Sequence, residues 1–450
     1  MIRLAWWLAR AGGSARMILL AVPTALASGL LLVAVAMVQL PAMPNEVLFD
    51  LVADTGTRGG TVLAVVALTL PLLALLHQVV RLGTASRERR LAALRVAGAT
   101  PGQVRVVGAL EVGLPVTAGA VLGIGVYALL RLLLGGERTL AAQLDWTPEL
   151  VPTTVTPAWW QVVGVVALVS LAGVVTGWWA SGHVIATPLG VTRRQRRRPP
   201  RPWGMLLLLG LPVLGVPELF NENDESAQAV GLACVSLAIV GVLALGSWTA
   251  HRVGHIAQRH ARSAATLLAA RRLVTDPRSV GRAAAALGAI GLVSGGASVV
   301  IADFILDQSE TGDSFYIISF GLLGLAVLVA LVAAASSIAV CAVEALLDRK
   351  RPLASLHASG VTIDTLVAAL RREALLAAIP LAVMGMLLGI VTLVGLYSIQ
   401  NGVMPSSAFG LILIQAVLTV LLIWLAIGVV TTAVRPWLRR ATTPANLRTE

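Results

Sequence analysis

Residues 87–102 read RERRLAALRVAGATPG, a short basic segment between two long apolar runs, and residues 349–364 read RKRPLASLHASGVTID. The two align without a gap at a spacing of 262 positions. In that register Arg87, Arg89, Leu91, Ala92, Leu94, Gly98 and Thr100 meet Arg349, Arg351, Leu353, Ala354, Leu356, Gly360 and Thr362. Farther on, Glu111 meets Glu373 and Gly123 meets Gly385. One match would mean little, but this many in a single register argue for an internal duplication.

The runs on either side of each copy set the class. The chain is 57% hydrophobic and only 12% charged, more apolar surface than a soluble fold of 450 residues can hide. The runs repeatedly reach spanning length and are rich in Leu, Val, Ala and Gly, which suits closely packed helices in lipid. They lack the short alternating segments of a membrane β-barrel. The expected fold is therefore an all-α integral membrane protein. The net charge of +12 comes almost entirely from arginines in alternate loops. Positive-inside topology accounts for that pattern, so no nucleic-acid partner is expected. The two cysteines, Cys234 and Cys341, both lie in apolar runs, which argues against a disulfide framework or a metal site.

Working outward, residues 1–16 read as an interfacial helix with Trp6 and Trp7 at the headgroups. A first four-helix unit follows at 17–180, with spans near 17–40, 60–80, 107–134 and 159–180. A Pro/Arg linker at 181–202 holds six arginines, four prolines and no acid. A central pair is expected at 203–248 (spans near 203–216 and 229–248), then a basic cytoplasmic loop with an interfacial helix at 249–283. A second four-helix unit runs over 284–434, with spans near 284–305, 315–343, 375–397 and 411–434, and a basic tail fills 435–450. The arrangement is about ten transmembrane helices as 4+2+4 with both termini cytoplasmic. Outer loops are acidic or neutral, inner loops basic.

The repeated segment has more structure than a topology loop needs. Leu91, Leu94 and Val96 are read as an apolar side, with Arg87, Arg90 and Arg95 elsewhere. Gly98 followed by Thr100-Pro101-Gly102 is a helix stop and restart. Basic inner loops usually only hold topology. Helical spacing, a built stop and a second copy together fit a helix that docks on a partner.

These residues, from Arg87 through Val104 and on into a Glu-bearing, Gly-rich helix, resemble the cytoplasmic motif of the FtsX-like permease family, membrane subunits of ABC transporters of the mechanotransmission type. The resemblance covers about 60–190 and 315–446. The second block departs from the pattern: Pro352 stands in the helix, His357 stands for Arg95, and Ile363-Asp364 replace Pro101-Gly102. Two such units around a central pair are similar to the ten-span bacitracin-type resistance permeases. Those carry a large extracellular domain between the seventh and eighth spans, where this chain has only residues 306–314.

The resemblance implies that each unit docks a cytoplasmic ABC ATPase, acting as a dimer, through its coupling segment. Carried over by position, the coupling residues are Glu88, Arg89, Arg90, Leu91, Leu94, Arg95, Gly98, Ala99 and Thr100 in the first copy. In the second they are Lys350, Arg351, Leu353, Leu356, His357, Gly360 and Thr362. The implied function is the permease subunit of an exporter or extractor of an amphipathic or hydrophobic compound, such as an antimicrobial peptide, drug or lipid-like molecule. The alternative is an ATPase-coupled sensor signalling to an extracytoplasmic partner or a histidine kinase. The chain itself is not expected to be an enzyme. Its only lysine, Lys350, is followed by Arg351 and so cannot end a phosphate-binding loop. It should bind no cofactor; ATP and Mg would act through the partner ATPase.

Glu111 and Glu373 sit near the cytoplasmic ends of the third and ninth spans. One reading is a contact with the coupling region or a proton site. The other is a helix-end carboxylate beside an arginine, favoured by the helix dipole. No acid falls at mid-membrane, which disfavours an ion-coupled carrier. Arginine in place of lysine, with abundant Ala, Val and Gly, suggests a high-GC bacterium and hence a bacterial inner membrane, with membrane lipids as the surrounding partner.

Overall fold

The computed structural model describes residues 14–41, 48–81, 93–135, 150–186, 201–205, 225–306, 314–400 and 402–443. Among these residues the chain is helical without strands. Among the described residues nine helices are long and apolar enough to cross a membrane. The chain is a multi-pass membrane protein. The expected interfacial helix at 1–16, most of the span at 203–216 and most of the acidic outer-loop residues lie outside the described residues.

The chain divides into two compact units, residues 1–196 and 197–450. The first holds α1 (Ser14–Val38), the single turn α2 (Asp50–Ala53), α3 (Thr55–Arg81), α4 (Pro101–Leu134) and α5 (Trp159–Ala186). Its centre is the α1–α4 pair, with α5 against α4 and α3 against α1. The pairing is close because small residues meet backbone. A methyl added at Gly123 would collide with Ala25 and Ser28, and one at Gly119 with Ala21 and Thr24. Ser28 Oγ also donates to the Ala120 carbonyl at 3.0 Å. In lipid the apolar surroundings offer helices no hydrophobic drive to associate, so close van der Waals contact and such bonds hold the pair.

The second unit holds α6 (Glu225–Arg259), α7 (Ala264–Thr275), α8 (Pro277–Leu306), α9 (Ser314–Asp348), α10 (Lys350–Ala358), α11 (Ile363–Gln400), α12 (Ser406–Ala433) and α13 (Arg435–Ala441). Here α8 and α11 form the central pair, with α9 and α12 packed on them. A methyl at Gly385 would strike the Gly288 carbonyl, and one at Gly389 the Leu292 carbonyl. Ser294 and Thr419 share a buried 2.7 Å hydrogen bond between α8 and α12.

The basic stretch from 249 is not all loop. α6 continues as helix to Arg259, with no proline to interrupt it and Gly254 packed against Leu273 and Ala270 of α7, and it also packs on α8 and α11. Ser263 then caps α7, its Oγ accepting the Thr266 N–H at 3.3 Å. Pro277 starts α8 immediately after the chain leaves α7 at Asp276, where the proline's missing N–H is no loss.

One buried arginine binds the first unit's loop. Arg58 at the start of α3 donates through Nε to Val52 (2.7 Å) and through Nη2 to Ala53 (2.6 Å). Its Nη1 donates to Leu40 (2.9 Å) and Pro41 (3.1 Å). A single planar fork thus satisfies carbonyls at the end of α1, beyond it and around α2.

Candidate functional site

The two copies of the basic segment end in the same turn. In the first, Ala99 N–H donates to the Leu94 carbonyl and Gly98 N–H to the Arg95 carbonyl, both at 3.0 Å. In the second, Val361 N–H donates to Leu356 at 3.1 Å and Gly360 N–H to His357 at 3.0 Å. This six-to-one and five-to-two pairing is a Schellman stop. It requires a left-handed residue, supplied by Gly98 at φ 94 and Gly360 at φ 97.

The restart is also shared. Thr100 Oγ1 accepts the Gln103 N–H at 3.3 Å, and Gln103 Oε1 accepts the Thr100 N–H at 2.9 Å, closing a capping box on α4. Thr362 Oγ1 accepts the Thr365 N–H at 3.3 Å and caps α11. Replacing Pro101-Gly102 by Ile363-Asp364 leaves the cap in place, because the threonine oxygen makes it. Pro352 is equally compatible: it lies in the first turn of α10, where an N–H has no carbonyl to reach.

The second copy shows how the segment is seated. Leu353 is buried in a cluster with Ala342 and Leu346 of α9, Leu366 and Leu370 of α11, and Leu438 of α13, and Ala354 beside it is buried too. Lys350, Arg351, His357 and Gly360 are exposed, and Leu356 is half-buried. His357 Nδ1 sits 2.9 Å from the Val361 carbonyl, on the far side of the turn. Leu353 therefore packs inside its own chain, while the basic side is exposed.

In the first copy, Glu88, Arg89, Arg90 and Leu91 lie outside the described residues. Leu94 and Ala99 pack on Val104 and Val107 of α4, and Arg95 is half-buried. Val96 corrects the sequence reading: it is 90% exposed rather than on an apolar side. Two positions beyond Leu94 is about 200° around a helix, so the two cannot share a face.

Glu111 and Glu373 are both buried, at 4% and 8% exposure. Glu373 Oε2 accepts from Arg272 Nη1 of α7 at 3.2 Å, and the Arg349 guanidinium at the entrance to α10 acts on the same carboxylate. Next to it, Arg372 donates to Thr266 Oγ1 at 2.6 Å and also to Ser263 Oγ. α7 is thus tied to α11 at both its ends. Arg349 also brings that tie next to the second basic segment. The sequence named Glu373 but not Arg272, which lies 101 positions away; only its place in a basic interfacial stretch hinted at it.

Among the described residues no cluster of histidine, cysteine, aspartate or glutamate has the arrangement of a metal site.

Residues 61–189 match the family model of the FtsX-like permease C-terminal domain. That stretch runs from α3 through the first Schellman turn, α4 and α5. The chain therefore carries an FtsX-like permease domain within an all-helical membrane protein. No curated protein matches the chain, and no solved structure does.

Proposed function

We propose that this chain is the permease subunit of an ABC transporter. On this reading it couples ATP hydrolysis by a separate cytoplasmic ATPase to the export or extraction of an amphipathic or hydrophobic compound. The observation that carries the reading is the Schellman turn and capped restart at Gly98–Thr100, inside the FtsX-like match at 61–189. The same turn at Gly360–Thr362 supports two coupling segments from an internal duplication, one for each subunit of an ATPase dimer. Both segments face the cytoplasm of a bacterial cell, consistent with their basic character. Force from the ATPase enters at the exposed basic residues Lys350, Arg351 and His357 and their counterparts. It passes through buried Leu353 and half-buried Leu94 into α11 and α4. The glycine-lined central pairs then move as units, since packed cores shift between discrete arrangements rather than deform.

The test is co-expression with a candidate cytoplasmic ABC ATPase. The ATPase should co-purify, and its hydrolysis should rise with candidate amphipathic cargo and drive cargo release from liposomes. Loss of co-purification on substituting Lys350 and Arg351 by Glu would support the docking assignment. Cargo-stimulated hydrolysis without cargo movement would favour the sensor instead.

A further inference from the structure

The second unit holds three charged residues in succession, Arg371, Arg372 and Glu373, at the threshold of the apolar stretch of α11 that begins at Ala374. Two are fully engaged: Glu373 with Arg272, and Arg372 with Ser263 and Thr266. Arg371 is not. Its Nε is buried without a hydrogen-bond partner, and among the described residues the guanidinium makes no hydrogen bond or ion pair. It stacks instead on the Trp424 ring of α12, 4.6 Å from the centroid. The other acid of α11, Asp364, is taken by Arg435 as Glu373 is by Arg272.

The position is unusual for an unpaired cation. Trp424 lies eleven positions before Arg435, about 16 Å along the helix at 1.5 Å per residue, and residues 406–433 carry no charge. An arginine near a helix end ordinarily snorkels its head towards water. This one lies over the ring and beside Gly428, its Nη2 3.8 Å from where a Cβ would stand, an ordinary contact for a methyl with little space for a longer side chain. Trp424 is 41% exposed, and Leu421, Leu422, Leu425 and Val429 are exposed beside it. The result is a planar five-donor cation at the foot of an open apolar wall. The arrangement recurs in the first unit. Arg105 of α4 lies 5.8 Å from the centroid of Trp178 of α5, its Nε equally unpartnered, with Leu171, Val175 and Trp179 exposed nearby.

We propose that Arg371 and Trp424 form a binding site for the phosphate of an anionic phospholipid drawn from the adjoining leaflet, with Arg105 and Trp178 as its counterpart. The guanidinium fork takes two phosphate oxygens, the indole holds the fork in plane, and the acyl chains lie along the wall of α12. A free phosphate ion would gain nothing from that wall, which is why the lipid is the ligand. The leaflet is the one facing the coupling segments.

The test uses the purified chain without any ATPase, so it succeeds or fails independently of the transport reading. Retention of phosphatidylglycerol and of phosphatidylcholine is titrated by native mass spectrometry. The wild type should prefer phosphatidylglycerol. Arg371→Gln should weaken that preference about tenfold, the loss of one charge-assisted bidentate contact. Arg371→Lys should restore it only in part, and Arg105→Gln/Arg371→Gln should abolish it. Arg439→Gln, which removes an exposed charge from α13, should leave it unchanged. Gly428→Leu should fill the seat and act like Arg371→Gln, with thermal unfolding reporting that each variant is folded. Unchanged retention in folded Arg371→Gln and Gly428→Leu would overturn the proposal. Equal retention of phosphatidylcholine, or displacement by millimolar inorganic phosphate, would overturn it too.

Discussion

Glu373 and Arg272 form a buried ion pair at 3.2 Å that joins a spanning helix, α11, to the short interfacial helix α7. Removing one partner leaves the other charge buried and unanswered, at a cost of about 3–5 kcal/mol. Arg272→Met should therefore destabilise the chain more than the double variant Arg272→Met/Glu373→Met, in which no charge is stranded. Thermal unfolding in detergent around the full double-mutant cycle checks this. Additive losses would mean that the pair does not act as one.

The Schellman turns give a second expectation. Gly98→Ala and Gly360→Ala place a Cβ in left-handed backbone, costing about 1–2 kcal/mol each. Asparagine tolerates that conformation, so Gly98→Asn and Gly360→Asn should lose less. With no heavy atom within 4 Å of a Cβ at either glycine, the difference must come from backbone and not from crowding. ATPase co-purification and cargo-stimulated hydrolysis should fall with Ala and recover with Asn.

Close packing at the centre of the second unit is tested by two glycines on one helix. A side chain at Gly385 meets the Gly288 carbonyl, whereas a Cβ at Gly395 meets nothing within 4 Å. Gly385→Val should lower the unfolding midpoint strongly, with overpacking of about 1–3 kcal/mol as the lower bound. Gly395→Val should shift it little. Similar shifts at both positions would remove the argument for glycine-mediated contact between α8 and α11.

Arg58 supplies a fourth. Its fork donates to four carbonyls, and lysine cannot reproduce that geometry. Arg58→Lys should cost nearly as much as Arg58→Met, on the order of 3 kcal/mol, because hydrogen bonds from a charged donor are worth about 1.5–3 kcal/mol each. Limited proteolysis within residues 41–57 should rise in both variants. Rescue by lysine would show that charge alone is enough there.

Much of the site was legible because it depends on neighbours in sequence. Gly98 followed by Thr100-Pro101-Gly102 reads as a helix stop and restart, and the structure has a Schellman turn and a capping box there. The same turn at Gly360 came from the structure. Val96 was misread because the apolar side was drawn from residue type, while the phase of the short helix turned it outward. Leu353 could be recognised as apolar, but nothing local says whether it faces a partner or its own chain. Arg58 gave no signal at all, since an arginine in a loop of a membrane protein is read as topology until its four carbonyls converge on it.

By itself the sequence determined that this chain crosses a membrane as helices, where its basic turns lie, and that two of those segments align in one register. Those properties follow from apolar run length, from backbone geometry that only glycine adopts readily, and from spacing. The tertiary structure alone decided which helices form the central pairs, that Arg272 answers Glu373, and that Arg371 is left with only an indole. Each depends on residues dozens to more than a hundred positions apart meeting at a particular rotation and height, and in lipid that choice is made by close packing rather than by hydrophobic pattern.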